Sequence, residues 1–297
     1  MGAGGAKLKY HEYVGGGASG EVFRATWQGK DQQTAIEVAA KKIRFRGEIP
    51  EQLKREIGYL KDLDHRNIIK YYDTILEQDH VVIVTEYAAK GSLDHYLRGV
   101  TKLPDKLLQA WLIDLAEGVD YLQRKKIAHR DLKSPNCVIT SEDVLKICDF
   151  GIASDLSSTK STRMKGTYKW LAPEVIKDQE LSPKSEIYAF GIIVWEMVTC
   201  EELYKGSLES YVMYQVCNHG LRPEIPAYCQ GFLNELMERC WHADRQMRPS
   251  SGDILRMLKQ EYKQEQAMRY TGIVKMARAV HSSLGSNRRL VSYRGTI

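Results

Sequence analysis

Three short segments near the middle of the chain decide how its fold is interpreted. They are HRDLKSPN at residues 129–136, DFG at residues 149–151 and APE at residues 172–174, and they follow one another in this order. On their amino-terminal side lie a glycine-rich segment and an apolar run that ends in lysine. Because several motifs keep one order between residues 15 and 174, coincidence is a negligible explanation for them.

The glycine-rich segment GGGASGEV, residues 15–22, fits the pattern G-x-G-x-x-G-x-V. Glycines let backbone amides approach phosphate groups without a Cβ in the way. A dinucleotide-binding fold uses similar spacing, but it requires a helix directly after the glycines. The residues that follow, EVFRATW at 21–27, alternate like a strand, which favours a glycine-rich hairpin.

The run VAAK at residues 38–41 is followed, at a helix's distance, by Glu56. A lysine that leaves a mostly buried strand needs a counter-charge, and Glu56 is a candidate. On this segment alone, an exposed Lys41 beside Lys42 is equally compatible. Apolar residues at helical spacing predict a helix over residues 50–62, with Pro50 suited to its first turn.

The two halves of the chain differ in their hydrophobic patterns. Residues 10–84 show short strand-like runs and one helical stretch, which predict a small sheet that carries one helix. After residue 91 the segments have helical length, and the second half is therefore predicted to be mainly helical. The helical segments are residues 106–124, 185–200, 208–219 and 232–240.

Taken together, the motifs resemble those of the eukaryotic protein kinases, and the resemblance runs from about residue 10 to about residue 262. It implies an α+β, bilobal protein kinase fold, with a small antiparallel β-sheet N-lobe that carries one helix and a larger, mainly helical C-lobe. The implied organisation is a flexible N-terminus at 1–9, a kinase domain at 10–262 and a basic C-terminal tail at 263–297. Within the domain, the N-lobe is 10–85, the hinge 86–91 and the C-lobe 92–262.

The resemblance implies ATP as substrate and Mg²⁺ as cofactor. The glycine-rich loop would cover the phosphates, the hinge backbone would bind adenine and apolar side chains would sandwich its ring. Residues expected to contact ATP are Val14, Gly15, Gly16, Gly17, Ala18, Ser19, Gly20, Val22, Ala39, Lys41, Thr85, Glu86, Ala88 and Val138.

The same resemblance implies the catalytic roles. Lys41 would hold the α- and β-phosphates, and Glu56 would orient Lys41 through an ion pair. Asp131 would accept the proton of the substrate hydroxyl and position its oxygen, while Lys133 would steady the transferred phosphoryl group. The expected ligands of Mg²⁺ are Asn136 and Asp149, hard oxygen donors for a hard cation.

Three further features follow from the comparison with the kinase pattern. Glu174 is expected to pair with Arg248 in a buried ion pair that fixes the substrate-binding loop. Glu186 stands where the family usually has Asp to support the backbone of the HRD turn, and its extra methylene puts full catalytic efficiency in doubt. Lys169 is also unusual and is expected to alter peptide preference near the acceptor.

The kind of kinase is indicated by mixed features. Lys133 and Thr167 resemble the residues that serine/threonine kinases have at these positions, whereas WEM at 195–197 and CW at 240–241 resemble the corresponding segments of tyrosine kinases. This mixture is typical of the tyrosine-kinase-like group, and HRDLKSPN and GTYKWLAPEVI are most similar to its mixed-lineage branch. The implied substrate is a MAP kinase kinase in stress signalling, and any dimer would form through regions outside this chain.

Two other functions remain as alternatives. A pseudokinase or scaffold that binds nucleotide without transfer predicts a lost catalytic residue, and none is lost here. Tyrosine specificity is opposed by Lys133 and Thr167.

Phosphorylation of a loop is expected to regulate the enzyme. Residues 155–167 are rich in hydroxyl and basic side chains and lack apolar periodicity, so they cannot fold by burial alone. A phosphate there could dock on Arg130 through charge-assisted hydrogen bonds. The favoured acceptors are Thr162, Ser161 and Thr159. Thr167 is expected to contact Asp131 and Lys133 instead.

Composition sets the remaining bounds. Hydrophobic residues make up 43% and charged residues 27% of the 297 residues, which is typical of a globular protein. The sequence shows no apolar run near the roughly 18 residues of a membrane span, and its six scattered cysteines favour reduced thiols in a cytoplasmic protein. Residues 263–297 hold seven Lys or Arg and one Glu, so the basic charge lies in the tail, without a clear sign of nucleic-acid binding.

Overall fold

The computed structural model describes residues 7–17, 20–30, 33–150, 153–155, 168–229 and 231–267. The chain divides into two compact units, Met1–Leu255 and Arg256–Ile297. Residues 251–255 of the first unit and residues 256–267 of the second are helical, and all elements named below belong to the first unit. Within the described ranges, no helix is both long and apolar enough to cross a membrane.

Five antiparallel strands form one sheet in the order β1-β2-β3-β5-β4. The strands are β1 (Lys7–Gly17), β2 (Gly20–Gln28), β3 (Ile36–Arg44), β4 (Tyr71–Leu76) and β5 (His80–Glu86). Alternate residues of β2, β3 and β5, among them Ala25, Val38 and Val84, are buried in one hydrophobic cluster. The sheet begins at Lys7, before the expected domain start at Tyr10, because Lys7 pairs with Gln28.

One helix, α1 (Glu51–Asp62), connects β3 to β4 and confirms the predicted helix. Pro50 precedes the helix as its N-cap residue and does not lie in its first turn as expected. Leu53, Glu56 and Leu60 are all buried. Because residues at this spacing share one face of a helix, the charged Glu56 lies within the apolar stripe of α1.

Besides the helical residues 251–255, the described part of the second lobe contains six further helices, and the four predicted helical segments are confirmed with small differences at their ends. The helices are α2 (Leu93–Arg98), α3 (Asp105–Arg124), α4 (Pro173–Asp178), α5 (Pro183–Thr199), α6 (Glu209–Asn218) and α7 (Phe232–Cys240). Short 3₁₀ turns lie at Ser134–Asn136, Tyr168–Trp170 and Arg245–Met247. The observed architecture is therefore the predicted α+β fold, a β-sheet N-lobe and a helical C-lobe.

Helix α5 is the centre of the helical lobe, since every residue from 185 to 197 is buried. It starts in a capping box made by Ser182 and Ser185, which satisfies backbone donors of its first turn. A Cβ on Gly191 would lie 2.7 Å from the Cβ of Cys240, so glycine is required for the close approach of α7. Such a helix is a rigid support for the loops that contact it.

Two small two-stranded sheets hold the loops next to the cleft. Strand β6 (Ile127–Ala128) pairs with β9 (Ser154–Asp155), and β7 (Cys137–Ile139) pairs with β8 (Leu145–Ile147). The segment 129–136 lies between β6 and β7, and Asp149 follows β8. The two small sheets thus fix both ends of the HRD segment beside the DFG segment.

Candidate active site

The glycine-rich segment forms a hairpin between β1 and β2. Gly15 pairs with Val22 and Gly17 with Gly20, so no helix follows the glycines and the dinucleotide-binding alternative is wrong. Gly20 has a φ of +125°, and a Cβ there would lie 2.7 Å from the carbonyl oxygen of Lys42. Only glycine fits this position. Ala18 and Ser19, also predicted to contact ATP, lie outside the described residues, and Val14 is half exposed.

Two of the predicted adenine contacts, Val22 and Ala39, share the face of the five-stranded sheet that points away from its core, whereas the third, Val138, lies on β7 of the second lobe. Ala39 lies opposite Thr85 in the β3–β5 pairing, and Val22 lies opposite Lys41 in the β2–β3 pairing. Their neighbours Val38 and Ala40 are fully buried in the sheet core, so alternation directs Ala39 and Lys41 to the other face.

The hinge is braced from the second lobe by a lysine that sequence reasoning missed. Lys146 of β8 lies 2.9 Å from Glu86 through its Nζ and Oε2 atoms, and the Glu86 amide donates to the carbonyl of Lys70 at 2.8 Å. The Ala88 carbonyl accepts a hydrogen bond from the Gly91 amide at 3.0 Å. The available signal was a lysine between the buried Leu145 and Ile147, which needs a counter-charge as Lys41 does.

Lys41 joins three separate elements through its ammonium group. Its Nζ donates to Glu56 Oε1 at 2.9 Å and to Asp149 Oδ1 at 3.0 Å. Burial alone would lower the pKa of Lys41, but the carboxylates of Asp149 and Glu56 outweigh it and raise this pKa above its ordinary value. Lys41 is therefore charged at neutral pH, and the alternative of an exposed surface lysine is wrong.

The catalytic-loop residues predicted from HRDLKSPN contact one another directly. Asp131 Oδ2 lies 2.7 Å from Lys133 Nζ. The amide nitrogen of Asn136 donates to Oδ2 of Asp131 at 3.0 Å and to its carbonyl oxygen at 2.8 Å. These contacts hold the Asp131 carboxylate between a cation and a neutral donor.

Glu186 supports the backbone of this loop through hydrogen bonds, as the kinase resemblance implied. Glu186 Oε1 accepts hydrogen bonds from the amides of His129 and Arg130, the latter at 3.2 Å. Arg130 has a φ of +69°, a conformation that costs free energy and needs such support. The longer side chain of Glu186 thus still reaches the HRD backbone. Burial raises the pKa of Glu186.

His129 links the HRD and DFG segments, a role that sequence reasoning did not assign. Its Nε2 lies 2.9 Å from the carbonyl oxygen of Cys148, and its ring meets the ring of Phe150 edge-on at 5.0 Å between centroids. Phe150 is almost fully buried, and Asp149 has a φ of +63°. The buried phenylalanine anchors the segment, so that Asp149 faces Lys41. Gly151 lies outside the described residues.

The donor set fits a magnesium ion that is shared with phosphate groups. The side-chain nitrogen of Asn136 donates to Asp131, which leaves the side-chain oxygen of Asn136 available to a metal ion. The backbone carbonyl of Asn136 accepts a hydrogen bond from the backbone amide of Cys148 at 2.9 Å, and this bond holds Asn136 beside Asp149. In the described ranges no cluster of three or more His, Cys, Asp or Glu could hold a metal by itself. Mg²⁺ commonly takes one or two protein oxygens and completes its shell with substrate phosphates and water.

The predicted ion pair of Glu174 and Arg248 is present and bidentate. Arg248 Nη1 donates to Glu174 Oε1 at 2.7 Å and Nη2 donates to Oε2 at 2.9 Å. Lys169, expected to affect peptide preference, directs its ammonium group to the carbonyl oxygen of Leu203 at 2.9 Å. The loop of residues 156–167, including Thr167 and the expected phosphorylation sites, lies outside the described residues.

Comparisons with known proteins agree with this geometry. A family model described as protein tyrosine and serine/threonine kinase matches residues 8–258. Mitogen-activated protein kinase kinase kinase 13-B of Xenopus laevis is 38% identical over 246 residues, which are 82% of this chain and 24% of that protein. Mitogen-activated protein kinase kinase kinase 12 of Rattus norvegicus is 37% identical over 82% of this chain and 26% of its own length. Serine/threonine-protein kinase STY17 of Arabidopsis thaliana is 33% identical over 86% of this chain and 44% of its own length.

Proposed function

The chain belongs to the protein tyrosine and serine/threonine kinase family, and on that premise we propose that it transfers the γ-phosphoryl group of ATP to serine or threonine hydroxyls of a protein. The observation that best supports this proposal is the contact of Lys41 with both Glu56 and Asp149. Because the chain spans only 24% to 44% of these three relatives, the proposal concerns the kinase domain, taken as residues 10–262.

The proposed roles follow the charges and contacts of the site. Lys41 binds the α- and β-phosphates, and Glu56 holds its ammonium group in place. Asp131 orients the acceptor hydroxyl and takes its proton, while Lys133 compensates negative charge beside it. Asn136 and Asp149 would hold magnesium, which would supply positive charge beside the transferred phosphoryl group.

A catalytically inactive nucleotide-binding protein is the weaker alternative. It predicts the loss of at least one residue that the transfer requires. Lys41, Glu56, Asp131, Asn136 and Asp149 are all present, and the contacts among them are formed.

Serine/threonine specificity and the substrate class are the finer parts of the proposal. Lys133, in the sequence HRDLKSPN, supports a serine/threonine acceptor, and so does Thr167. Two of the relatives are named as mitogen-activated protein kinase kinase kinases, which supports a MAP kinase kinase as the substrate. This chain would then act at the upper level of such a cascade.

The experiment is a radiolabelled ATP assay of the purified chain with a panel of MAP kinase kinases, followed by phosphoamino-acid analysis. We expect label on serine or threonine of at least one panel member. Label on tyrosine alone would contradict the proposed specificity.

Two variants test the assigned roles in the same assay. Asp149→Asn weakens magnesium binding and Asp131→Asn misplaces the acceptor oxygen, so each should reduce turnover at least ~100-fold without unfolding the chain. Asp178→Asn, an exposed carboxylate at the end of α4, is the matched control and should keep the wild-type rate. Wild-type turnover in both site variants would show that these roles are wrong.

A further inference from the structure

A buried glutamate of helix α5 joins two segments that are distant in sequence. Glu196 is 5% exposed. Its Oε1 accepts a hydrogen bond from the Ser134 hydroxyl at 2.8 Å, and its Oε2 accepts one from the indole Nε1 of Trp170 at 2.8 Å. One carboxyl group thus satisfies a donor from the catalytic loop and a donor from the segment before APE.

Ser134 lies where a small displacement would reach the catalytic groups. It follows Lys133 directly and begins the 3₁₀ turn Ser134–Asn136, in which the Asn136 amide donates to the Lys133 carbonyl at 3.0 Å. The hydroxyl of Ser134 is therefore attached to a short, closed turn that carries Lys133 at one end and Asn136 at the other. Holding Ser134 fixes the directions in which both side chains leave the backbone.

Trp170 has the corresponding place on the other side. It ends the 3₁₀ turn Tyr168–Trp170, and the Leu171 amide donates to the Tyr168 carbonyl at 3.2 Å. APE follows at residues 172–174, where Glu174 is held by Arg248. The indole N–H has a fixed direction, so its bond to Glu196 sets the position of this turn relative to the catalytic loop.

Helix α5 supports the catalytic loop at two points. Glu186 holds the amides of His129 and Arg130, and Glu196 holds Ser134. Ten residues of α-helix correspond to about 15 Å at about 1.5 Å per residue. Asp131 lies in the loop between these two supports, and the rigid, buried helix keeps the distance between them constant.

We propose that Glu196 is a positioning residue, which acts through Ser134 and Trp170 to align the catalytic loop with the acceptor-binding segment. The inference rests on the proposed phosphotransfer function. It assigns Glu196 to turnover of the protein substrate and not to nucleotide binding, because the ammonium group of Lys41 is held by other carboxylates. Removing the carboxyl group leaves the buried Ser134 hydroxyl and the partly buried Trp170 indole N–H without this acceptor, which is costly enough to displace one or both segments.

Four variants test the positioning role. Glu196→Ala should lower kcat for the protein substrate about tenfold or more while the Kd for ATP stays within about twofold. Glu196→Gln should stay within about threefold of wild type, because the amide can accept from Trp170 and donate to Ser134. Ser134→Ala and Trp170→Phe each remove one donor and should lower kcat about threefold. Glu201→Gln, an exposed carboxylate in the loop after α5, is the matched control and should change nothing.

A measurement that needs no activity accompanies the kinetics. Amide hydrogen exchange over residues 129–136 and 168–172 should be faster in Glu196→Ala by about tenfold, while exchange in α3 stays unchanged. Adding Ser134→Ala to Glu196→Ala should cause no further loss of kcat, since both changes remove the same hydrogen bond.

The outcomes separate the two proposals. An inactive wild-type chain would contradict the proposed function, and the exchange measurement would still decide whether Glu196 holds both segments. Wild-type kcat and unchanged exchange in Glu196→Ala, even with a lower melting temperature, would overturn the positioning role. If Glu196→Ala does not fold, wild-type kcat and exchange in both Ser134→Ala and Trp170→Phe would overturn it equally.

Discussion

Two ion pairs of this protein have similar distances and different surroundings. The Lys41–Glu56 pair connects a strand to a helix at the edge of the cleft, where the Lys41 side chain is 15% exposed and also contacts Asp149. The Arg248–Glu174 pair lies in the helical lobe, and the Arg248 side chain is 0% exposed. The first pair holds a charge available to a ligand, and the second encloses its charge completely.

The difference lies in how many partners each cation has within the protein. Besides both oxygens of Glu174, the Arg248 guanidinium donates to the carbonyls of His242 at 2.9 Å and Lys184 at 3.0 Å, and it stacks 5.2 Å from the Tyr188 ring. Burial would raise the pKa of Glu174, but Arg248 and its hydrogen bonds lower this pKa. A planar guanidinium with this many fixed acceptors stabilises the fold, whereas a compact ammonium between two carboxylates can act on phosphates.

The largest expected effect is on stability, from Arg248→Ala. This change leaves the mostly enclosed Glu174, whose side chain is 13% exposed, without its cation, and we expect it to lower the free energy of unfolding by about 3–5 kcal/mol. The matched control is Arg245→Ala, which removes a solvent-exposed pair with Glu180 at 2.7 Å. That change should cost less than about 1 kcal/mol in the same denaturant titration. Equal losses in the two variants would remove the distinction between an enclosed and an exposed arginine.

The second expected effect is on activity, from changes in the other pair. Lys41→Met should lower phosphotransfer about 100-fold and, because it leaves the buried Glu56 without its cation, should also lower the free energy of unfolding. Lys41→Arg should also fail because its fork differs from an ammonium group. Glu56→Gln should lose less, since glutamine keeps a hydrogen bond to Lys41. Lys42→Met, which breaks the contact with Glu77 at 2.9 Å, is the neighbouring control and should keep most activity. Initial rates and thermal melts measure both properties, and an active Lys41→Arg enzyme would argue against this assignment.

The third and smallest expected effect is on the pH dependence of the free energy of unfolding, by about 1–2 kcal/mol. It comes from Glu196, a buried carboxyl group whose two described hydrogen-bond donors are neutral. Burial raises the pKa of Glu196 to about 8, from an ordinary value of 4.5, against the hydrogen bonds of Trp170 and Ser134. The folded protein therefore retains this proton where the unfolded chain has lost it. The stability that this group contributes is fully present below pH 4.5 and is lost as pH rises through about 8.

Glu196→Gln removes that titration without removing the hydrogen bonds. Between pH 6 and pH 7.5 the free energy of unfolding of the wild type should fall by about 1–2 kcal/mol relative to the variant. Denaturant titrations of both proteins across this range measure the difference. A difference that does not change with pH would show that Glu196 is ionised in the folded state, like Glu174.

Much of the fold could be predicted because the signals were local. The apolar spacing of α1, the alternation after the glycines and the helical segments of the second half each reflect backbone hydrogen bonding within a short stretch. The Lys41–Glu56 pair was also predicted, because a lysine that leaves an apolar run needs a counter-charge and the kinase resemblance indicated Glu56 as its partner. The Glu174–Arg248 pair was predicted from that resemblance alone.

The contacts that sequence reasoning missed are those between residues without a local signal for each other. The pair of Lys146 with Glu86 joins β8 to the hinge. His129 contacts the Cys148 carbonyl and the Phe150 ring, although its position in the HRD motif indicates neither partner. From the sequence alone, Lys146 and His129 could each be paired with several other residues. Only the packing of the elements brings each of them within contact distance of its observed partners.

The sequence by itself determined which elements form, which face of α1 is apolar and which residue types are available for phosphate, magnesium and acceptor. The tertiary structure decided which of them meet, since Asp149 reaches Lys41 across 108 residues and Glu196 reaches Ser134 across 62. The physical reason is the sequence separation over which each kind of interaction acts. Backbone hydrogen bonds and side-chain alternation act over a few residues, whereas contacts of this separation form only when buried surfaces pack well enough to offset the entropy of closing long loops.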